Sequence, residues 1–290
     1  MLRRGADSRR KRLAYKVDTD VDVMRRIRQV FDSTLFQKHE QSTSPAGALF
    51  VLGLPRSGTT LVDRIVSSHS QVDSLGEIND FALTLTRLSG GIRKGGKLEL
   101  VDASARFDFS RLGQVYMSAL ASYGRSAPHL INKTPQNYLY VGLIHLAIAG
   151  AKIIHLRRHP LDTCYAMYKT LFRMGYPFSY SLDDIGHYYL AYHQLMQHWR
   201  DTLPGVFLDV DYETIVAHKE KISRKIIQYT NLPWEDACLD FHKNRAPAAT
   251  ASATQVRQDI YGSSVGKWKA YEKELEPLAS FLTKAGIECG

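Results

Sequence analysis

Apolar positions along the chain fall into two patterns that alternate. In DVDVMRRIRQVFDSTLFQKH, Val23, Ile27, Val30 and Phe31 recur at helical spacing. TSPAGAL follows as a linker, where Pro45 and Gly47 break that period. ALFVLGL, residues 48–54, is a short unbroken apolar run of the kind buried in a parallel sheet. After the polar loop PRSGTT, LVDRIVSSH returns to helical spacing, with Leu61, Ile65 and Val66 on one face. The alternation repeats: AKIIHLRRHP predicts a strand ending in charge and LDTCYAMYKTLF a helix. VFLDVDYE predicts a third strand. His187, Tyr188, Tyr189, Tyr192 and Trp199 form an aromatic run in a predicted helix, expected mostly in the core. Strands alternating with helices predict an α/β fold around a central parallel sheet.

Charge narrows the class of partner. The 290 residues carry a formal net charge of +9, which favours anionic ligands without choosing among them. MLRRGADSRRKRLAYK holds seven Lys or Arg and one Asp, and is expected to be a solvated basic arm. A secretory signal is not expected, because this stretch lacks an apolar core. No apolar run reaches the length of a membrane span. Cys164, Cys238 and Cys289 are sparse, odd in number and without a CxxC pair, so neither a disulfide framework nor a zinc site is expected. The histidines show no ligand spacing, so no metal is expected. A reducing, cytoplasmic setting is the expectation.

The loop between strand and helix is an anion site by construction, since a helix N-terminus presents amide N–H groups and a positive dipole end. In PRSGTT, Gly58 permits close backbone approach, Arg56 adds a forked cation, and Ser57, Thr59 and Thr60 add hydroxyls. Gly53 is followed five residues later by Gly58, as in GxxxxGK[ST], but Thr59 stands where that motif has its lysine. The loop therefore suits phosphate and suits ATP hydrolysis poorly. Arg157 and Arg158 close a predicted strand beside the next helix start, a second place for a phosphate.

With these motifs in place, FVLGLPRSGTTLVDRIVSSH resembles the 5′-phosphosulfate loop of the sulfotransferase superfamily, in the branch of tyrosylprotein sulfotransferases and tetratricopeptide-repeat-fused bacterial sulfotransferases. The resemblance runs from about residue 48 to Trp268. It implies a P-loop-like three-layer fold, with residues 48–290 as catalytic domain after a basic arm, helix and linker in 1–47. It also implies a donor, 3′-phosphoadenosine-5′-phosphosulfate (PAPS), and a hydroxyl acceptor such as a peptide tyrosine, a carbohydrate or a small molecule. IIHLRRHPLDTCYAMYK resembles the 3′-phosphate motif. Arg158 falls on its arginine and Asp162 on its helix-start aspartate, but Ala166 falls where the family has a serine. Thr163 or Lys169 is the candidate to compensate. Glu77 in SLGEINDF falls on the catalytic glutamate, and Lys133 in LINKTPQN on the lysine that neutralises the leaving group; Asn132 and Thr134 shape that loop. Arg56 is expected to act in catalysis as well as binding. Tyr212, Ser252, Arg257 and Lys267 are the remaining expected donor contacts.

Three rivals stand beside this reading. A nucleotide kinase is opposed by the missing lysine. A sensor without catalysis is favoured by Ala166 and opposed by Glu77 and Lys133. Nucleic-acid binding through the arm would show steep salt dependence; no nucleic-acid partner is expected.

Overall fold

The computed structural model describes residues 2–42, 47–90, 96–170, 172, 175–244 and 264–290. The chain opens with α1 (Leu2–Lys11), α2 (Val17–Val30) and α3 (Ser33–Lys38). Then come β1 (Ala48–Gly53), α4 (Thr59–Val66), β2 (Val72–Ser74), α5 (Asp80–Leu88), α6 (Gly96–Ser104) and α7 (Phe109–Ala121). β3 (His129–Asn132), α8 (Val141–Ala147), β4 (Lys152–Arg157), α9 (Pro160–Lys169) and α10 (Leu182–Thr202) follow. β5 (Phe207–Asp211), α11 (Tyr212–Ala217), α12 (Lys219–Tyr229) and α13 (Glu272–Lys284) complete the described elements.

The five strands form one parallel sheet in the order β2-β3-β1-β4-β5. All six residues of β1 are buried, as expected for a strand covered on both faces. Its alternation divides the core. Ala48, Phe50 and Leu52 face a large cluster built from α2, α5, α7, α8 and α10. Leu49 and Val51 face a smaller one under α4 and α12. These are the three layers expected of the fold. Trp199 and Tyr188, Tyr189 and Tyr192 on α10 are buried in the large cluster, as their spacing predicts, whereas the His187 side chain is half-exposed.

Three expectations change. β2 and β3 went unread because they are three and four residues long, too short for a period to show. The helix expected to run through Phe172 ends at Lys169. The basic arm is a helix, α1, whose Ala6 is buried and whose Arg10 pairs with Asp184 at 2.6 Å. Val17, Val23, Met24, Ile27 and Phe31 belong to the same core as the residues after β1. The linker positions 43–46 lie outside the described residues.

Chain direction places the site. From β1 the chain moves to the β2 side, returns through β3, and crosses β1 to reach β4. The crevice beyond the carboxyl ends of β1 and β4 is thus a topological switch point, where ligands of open α/β sheets bind.

β4 and β5 are cross-tied by a buried imidazole. His155 is 1% exposed and its Nδ1 lies 2.6 Å from the Asp209 carboxylate. A carboxylate only accepts, so Nδ1 carries the proton and Nε2 accepts from the Tyr192 hydroxyl. Arg200 donates twice to Asp209, at 2.8 and 3.0 Å. Burial pushes the His155 pKa down, against the opposing pull of Asp209, and the His155 and Arg200 contacts hold Asp209 well below the usual carboxylate range despite burial. With the folded His155 value below the unfolded value of about 6.5, the unfolded chain binds more protons in that window. Stability is therefore present above about pH 6.5 and is lost as pH falls toward the folded value. Burial lowers His129, His145, His159, His193 and His198 in the same direction. The urea midpoint should fall between pH 8 and pH 5.5, and fall less in His155→Gln; a midpoint unchanged over this range contradicts the account.

Candidate functional site

The loop after β1 is shaped by backbone that few side chains tolerate. Gly53, Arg56 and Gly58 all have positive φ, at 147°, 69° and 107°. A non-glycine residue held there stores strain of about 1–3 kcal/mol, which clusters at functional sites. A Cβ on Gly58 would lie 2.7 Å from the Tyr212 ring, and one on Gly53 2.5 Å from the Leu156 carbonyl. The loop thus rests on the ends of β4 and β5 with no room for a side chain. Thr59 and Thr60 begin α4 and are 5% exposed, where the first amides of a helix lack intrahelical acceptors. Ser57 Oγ is buried with no partner among the described residues.

Arg158 approaches from β4. It donates through Nη1 to the Arg56 carbonyl at 3.0 Å and through Nη2 to the Ser264 carbonyl, with its guanidinium 4.9 Å from the Tyr212 ring centroid. Its Nε is buried without a partner among the described residues. Arg157 points elsewhere, onto Asp211 at 2.8 and 2.9 Å.

Asp162 has a role that its place at a helix start does not convey. Its carboxylate accepts the amides of Gly266 at 2.7 Å and Trp268 at 3.1 Å. The Trp268 ring stacks on His159 with centroids 5.2 Å apart and planes 7° apart. Asp162 thereby pins the segment carrying Lys267 over the start of α9. Lys169 lies in the same neighbourhood: its pKa is lowered by burial and then by Lys267, Arg56 and Arg158, and its ammonium sits 4.8 Å from the Tyr165 ring centroid. Three other cations thus act on the Lys169 ammonium. Thr163 instead turns back toward the Arg158 carbonyl. Ser252 and Arg257 lie outside the described residues.

On the other side of β1, Glu77 and Lys133 meet. Lys133 follows β3 directly, is 1% exposed, and donates from Nζ to Glu77 Oε1 at 2.6 Å. Its amide donates to the Gly76 carbonyl at 2.9 Å. Asn132 is the hub of this turn: its Oδ1 accepts from the Thr134 amide and Asn137 Nδ2, and its Nδ2 donates to Tyr116. Thr134 Oγ1 donates to the Ile78 carbonyl at 2.6 Å. Behind the pair, buried Asp63 accepts from Ser74 Oγ at 2.5 Å. Burial pushes the Asp63 carboxyl up, with Ser74, Lys133 and Arg64 opposing and Glu77 adding to the rise. Nothing in the pattern of α4 marks Asp63 out, because an acidic residue in a helix reads as surface. His187 contacts Asp183 and Phe281 on α10 and α13, and none of its contacts reaches this pair. Among the described residues no group of three or more His, Cys, Asp or Glu is placed to hold a metal, and no helix is long and apolar enough to cross a membrane.

A phosphate loop, a second arginine at the next strand end, and a carboxylate–ammonium pair thus line one edge of the sheet. Residues 48–236 match the sulfotransferase family. The chain belongs to that family. A protein of Aquifex aeolicus (strain VF5) is similar to this chain, at 37% identity over 81% of the chain and 32% of the relative. The protein-tyrosine sulfotransferase of Drosophila melanogaster is 25% identical over 76% of the chain and 46% of its own length. The protein-tyrosine sulfotransferase 1 of Danio rerio is 24% identical over 83% of the chain and 72% of its own length. The chain thus spans about a third and about half of the first two of these relatives. Its fold is similar to the sulfotransferase domain of the curacin biosynthetic pathway, with TM-score 0.56 at 20% identity over 86% of this chain and all of that one. Mouse sulfotransferase SULT7A1 complexed with PAP gives TM-score 0.51 at 15% identity, covering 83% of this chain and 86% of that one.

Gly58→Ala should lower the stability of the protein by about 1–3 kcal/mol, because it adds strain and a clash with the ring. Part of that loss should vanish in a Tyr212→Ala background, measured by chemical denaturation. Equal losses in both backgrounds would show that the ring is not the obstacle.

Proposed function

We propose that the chain transfers a sulfuryl group from PAPS to an acceptor hydroxyl, with a tyrosine phenol as the first candidate. The observation that carries the reading is the Glu77–Lys133 pair at 2.6 Å, set at the sheet edge next to the PRSGTT loop. The residues present fit the donor. Ser57 Oγ and Arg158 Nε are buried donors lacking a protein partner among the described residues, and the loop leads into the N-terminus of α4, whose first amides have no intrahelical acceptor and can meet an anion. Ser57, Gly58, Thr59, Thr60 and Arg56 would hold the 5′ end. Arg158 and Lys169 would hold the 3′-phosphate, Tyr212 would stand beside the nucleotide, and Lys267 would close over it. Ser252 and Arg257 remain expected contacts by resemblance alone.

Each residue then has a distinct task. Glu77 takes the proton of the acceptor hydroxyl as that oxygen bonds to sulfur. The bond from sulfur to the bridging oxygen breaks, and 3′-phosphoadenosine-5′-phosphate (PAP) departs with its electron pair. Lys133 and Arg56 stabilise the charge gathering on that oxygen, the contribution that dominates in such transfers. The tyrosine acceptor is supported by the two relatives that carry the name protein-tyrosine sulfotransferase.

Two predictions test this. PAP should raise the melting temperature by mass action while ATP does little, and Arg56→Ala should weaken PAP binding by about 1.5–3 kcal/mol. Equal stabilisation by ATP would point back to a kinase. Glu77→Gln should cut turnover roughly 10²–10⁴-fold with PAP affinity nearly unchanged, assayed with labelled PAPS against a panel of tyrosine peptides, sugars and simple alcohols. Label appearing only on sugars or alcohols would replace the tyrosine acceptor and leave the donor chemistry in place. Undiminished turnover in Glu77→Gln would remove it as the base.

A further inference from the structure

We propose that Asp63 is a positioning residue, tying the helix that begins at the donor loop to the turn that carries Glu77. The inference rests on the reading of Glu77 and Lys133 as the catalytic pair. Asp63 lies four residues beyond Thr59 on α4 and is 5% exposed. Its neighbours Val62, Ile65 and Val66 are apolar and fully buried, so packing alone would be served by an apolar side chain. A buried carboxylate costs free energy unless it is hydrogen-bonded and charge-balanced.

Its contacts form a closed circuit. Ser74, the last residue of β2, donates its hydroxyl to Asp63 Oδ1 at 2.5 Å. A serine hydroxyl has one proton, so once it is given to Asp63 the oxygen lone pairs are free to accept. They accept the Gly76 amide at 3.1 Å. The Gly76 carbonyl accepts the Lys133 amide at 2.9 Å, and Lys133 Nζ reaches Glu77, the next residue after Gly76, at 2.6 Å. Gly76 has φ of 70°, so the direction of the chain into Glu77 is set at a residue whose own backbone is permissive. The Asp63–Ser74–Gly76 bonds remove that freedom. Asp63 also feels the charges of both Lys133 and Glu77. One rigid path thus joins the element that holds the donor to the residue that deprotonates the acceptor, and errors of about an ångström in such placement cost roughly 10²-fold in rate.

The test measures turnover with PAPS and the best acceptor of the panel above, together with PAP affinity by calorimetry. The variants are Ser74→Ala, Asp63→Ala, Asp63→Asn and the Asp63→Ala/Ser74→Ala pair. Ser74→Ala and Asp63→Ala should each lower kcat by roughly 10²-fold. The double variant should be no worse than the poorer single one, as for two links of one chain, with PAP affinity within about threefold of wild type. Asp63→Asn keeps an oxygen acceptor for Ser74 and should recover most of what Asp63→Ala loses. Multiplying losses in the double variant, PAP affinity falling in step with kcat, or wild-type turnover in Ser74→Ala would each overturn the inference. Should Asp63→Ala fail to fold, Ser74→Ala decides alone. Glu77→Gln run in parallel separates the two readings. Loss there with none in Ser74→Ala overturns the Asp63 inference only, whereas full turnover in Glu77→Gln overturns both.

Discussion

A lysine ammonium that is 1% exposed must have an anion beside it, since a desolvated, unpaired charge would cost several kcal/mol. That constraint organises the edge of the sheet around Lys133. Parallel pairing of β3 with β1 brings Asn132 level with Phe50, which puts Lys133 beyond the sheet, next to the loop that follows β1. Pairing of β2 with β3 sets Ser74 against Ile131, and the turn after β2 then delivers Glu77 to the ammonium. Lys133 could not be buried here without the half-exposed Glu77 beside it, so the register of two very short strands and the chemistry of the pair support one another.

The opposite side of β1 obeys a steric rule instead. Tyr212 and the Leu156 carbonyl leave no space for a Cβ at Gly58 or Gly53, so the loop packs directly on the ends of β4 and β5. Arg158 and Asp162 extend this side outward, one touching the loop and the other holding Gly266 and Trp268. On the proposed function, the sheet edge separates two tasks: gripping the donor beyond β1, β4 and β5, and handling the proton beyond β2 and β3.

Most of the donor side was legible in the sequence. β1, β4 and β5 stand out as apolar runs bounded by charge, and PRSGTT carries a glycine and hydroxyls that a plain turn does not need. The family resemblance then supplied Glu77 and Lys133, which spacing alone would not have paired. What stayed hidden depends on contacts that sequence distance conceals. Val72–Ser74 is too short for periodicity, so the Ser74–Asp63 bond had no visible frame. Asp162 reads as a helix-start acid, and its grip on a segment more than a hundred residues away emerges only in three dimensions. The basic run at the N-terminus reads as solvated charge, yet Arg10 is committed to Asp184. Lys169 feels the charges of Lys267, Arg56 and Arg158, an influence that sequence distance also conceals.

The central claim is spatial: Lys133, held by Glu77, faces the donor lodged in the PRSGTT loop. A crystal structure with PAP measures this directly. The account predicts the 5′-phosphate among Ser57, Gly58, Thr59 and Thr60, with Lys133 Nζ at hydrogen-bonding distance, about 3 Å, from one of its oxygens. PAP seated with its 5′-phosphate away from this loop, or with Lys133 still directed only at Glu77 and out of reach of the phosphate, would contradict it.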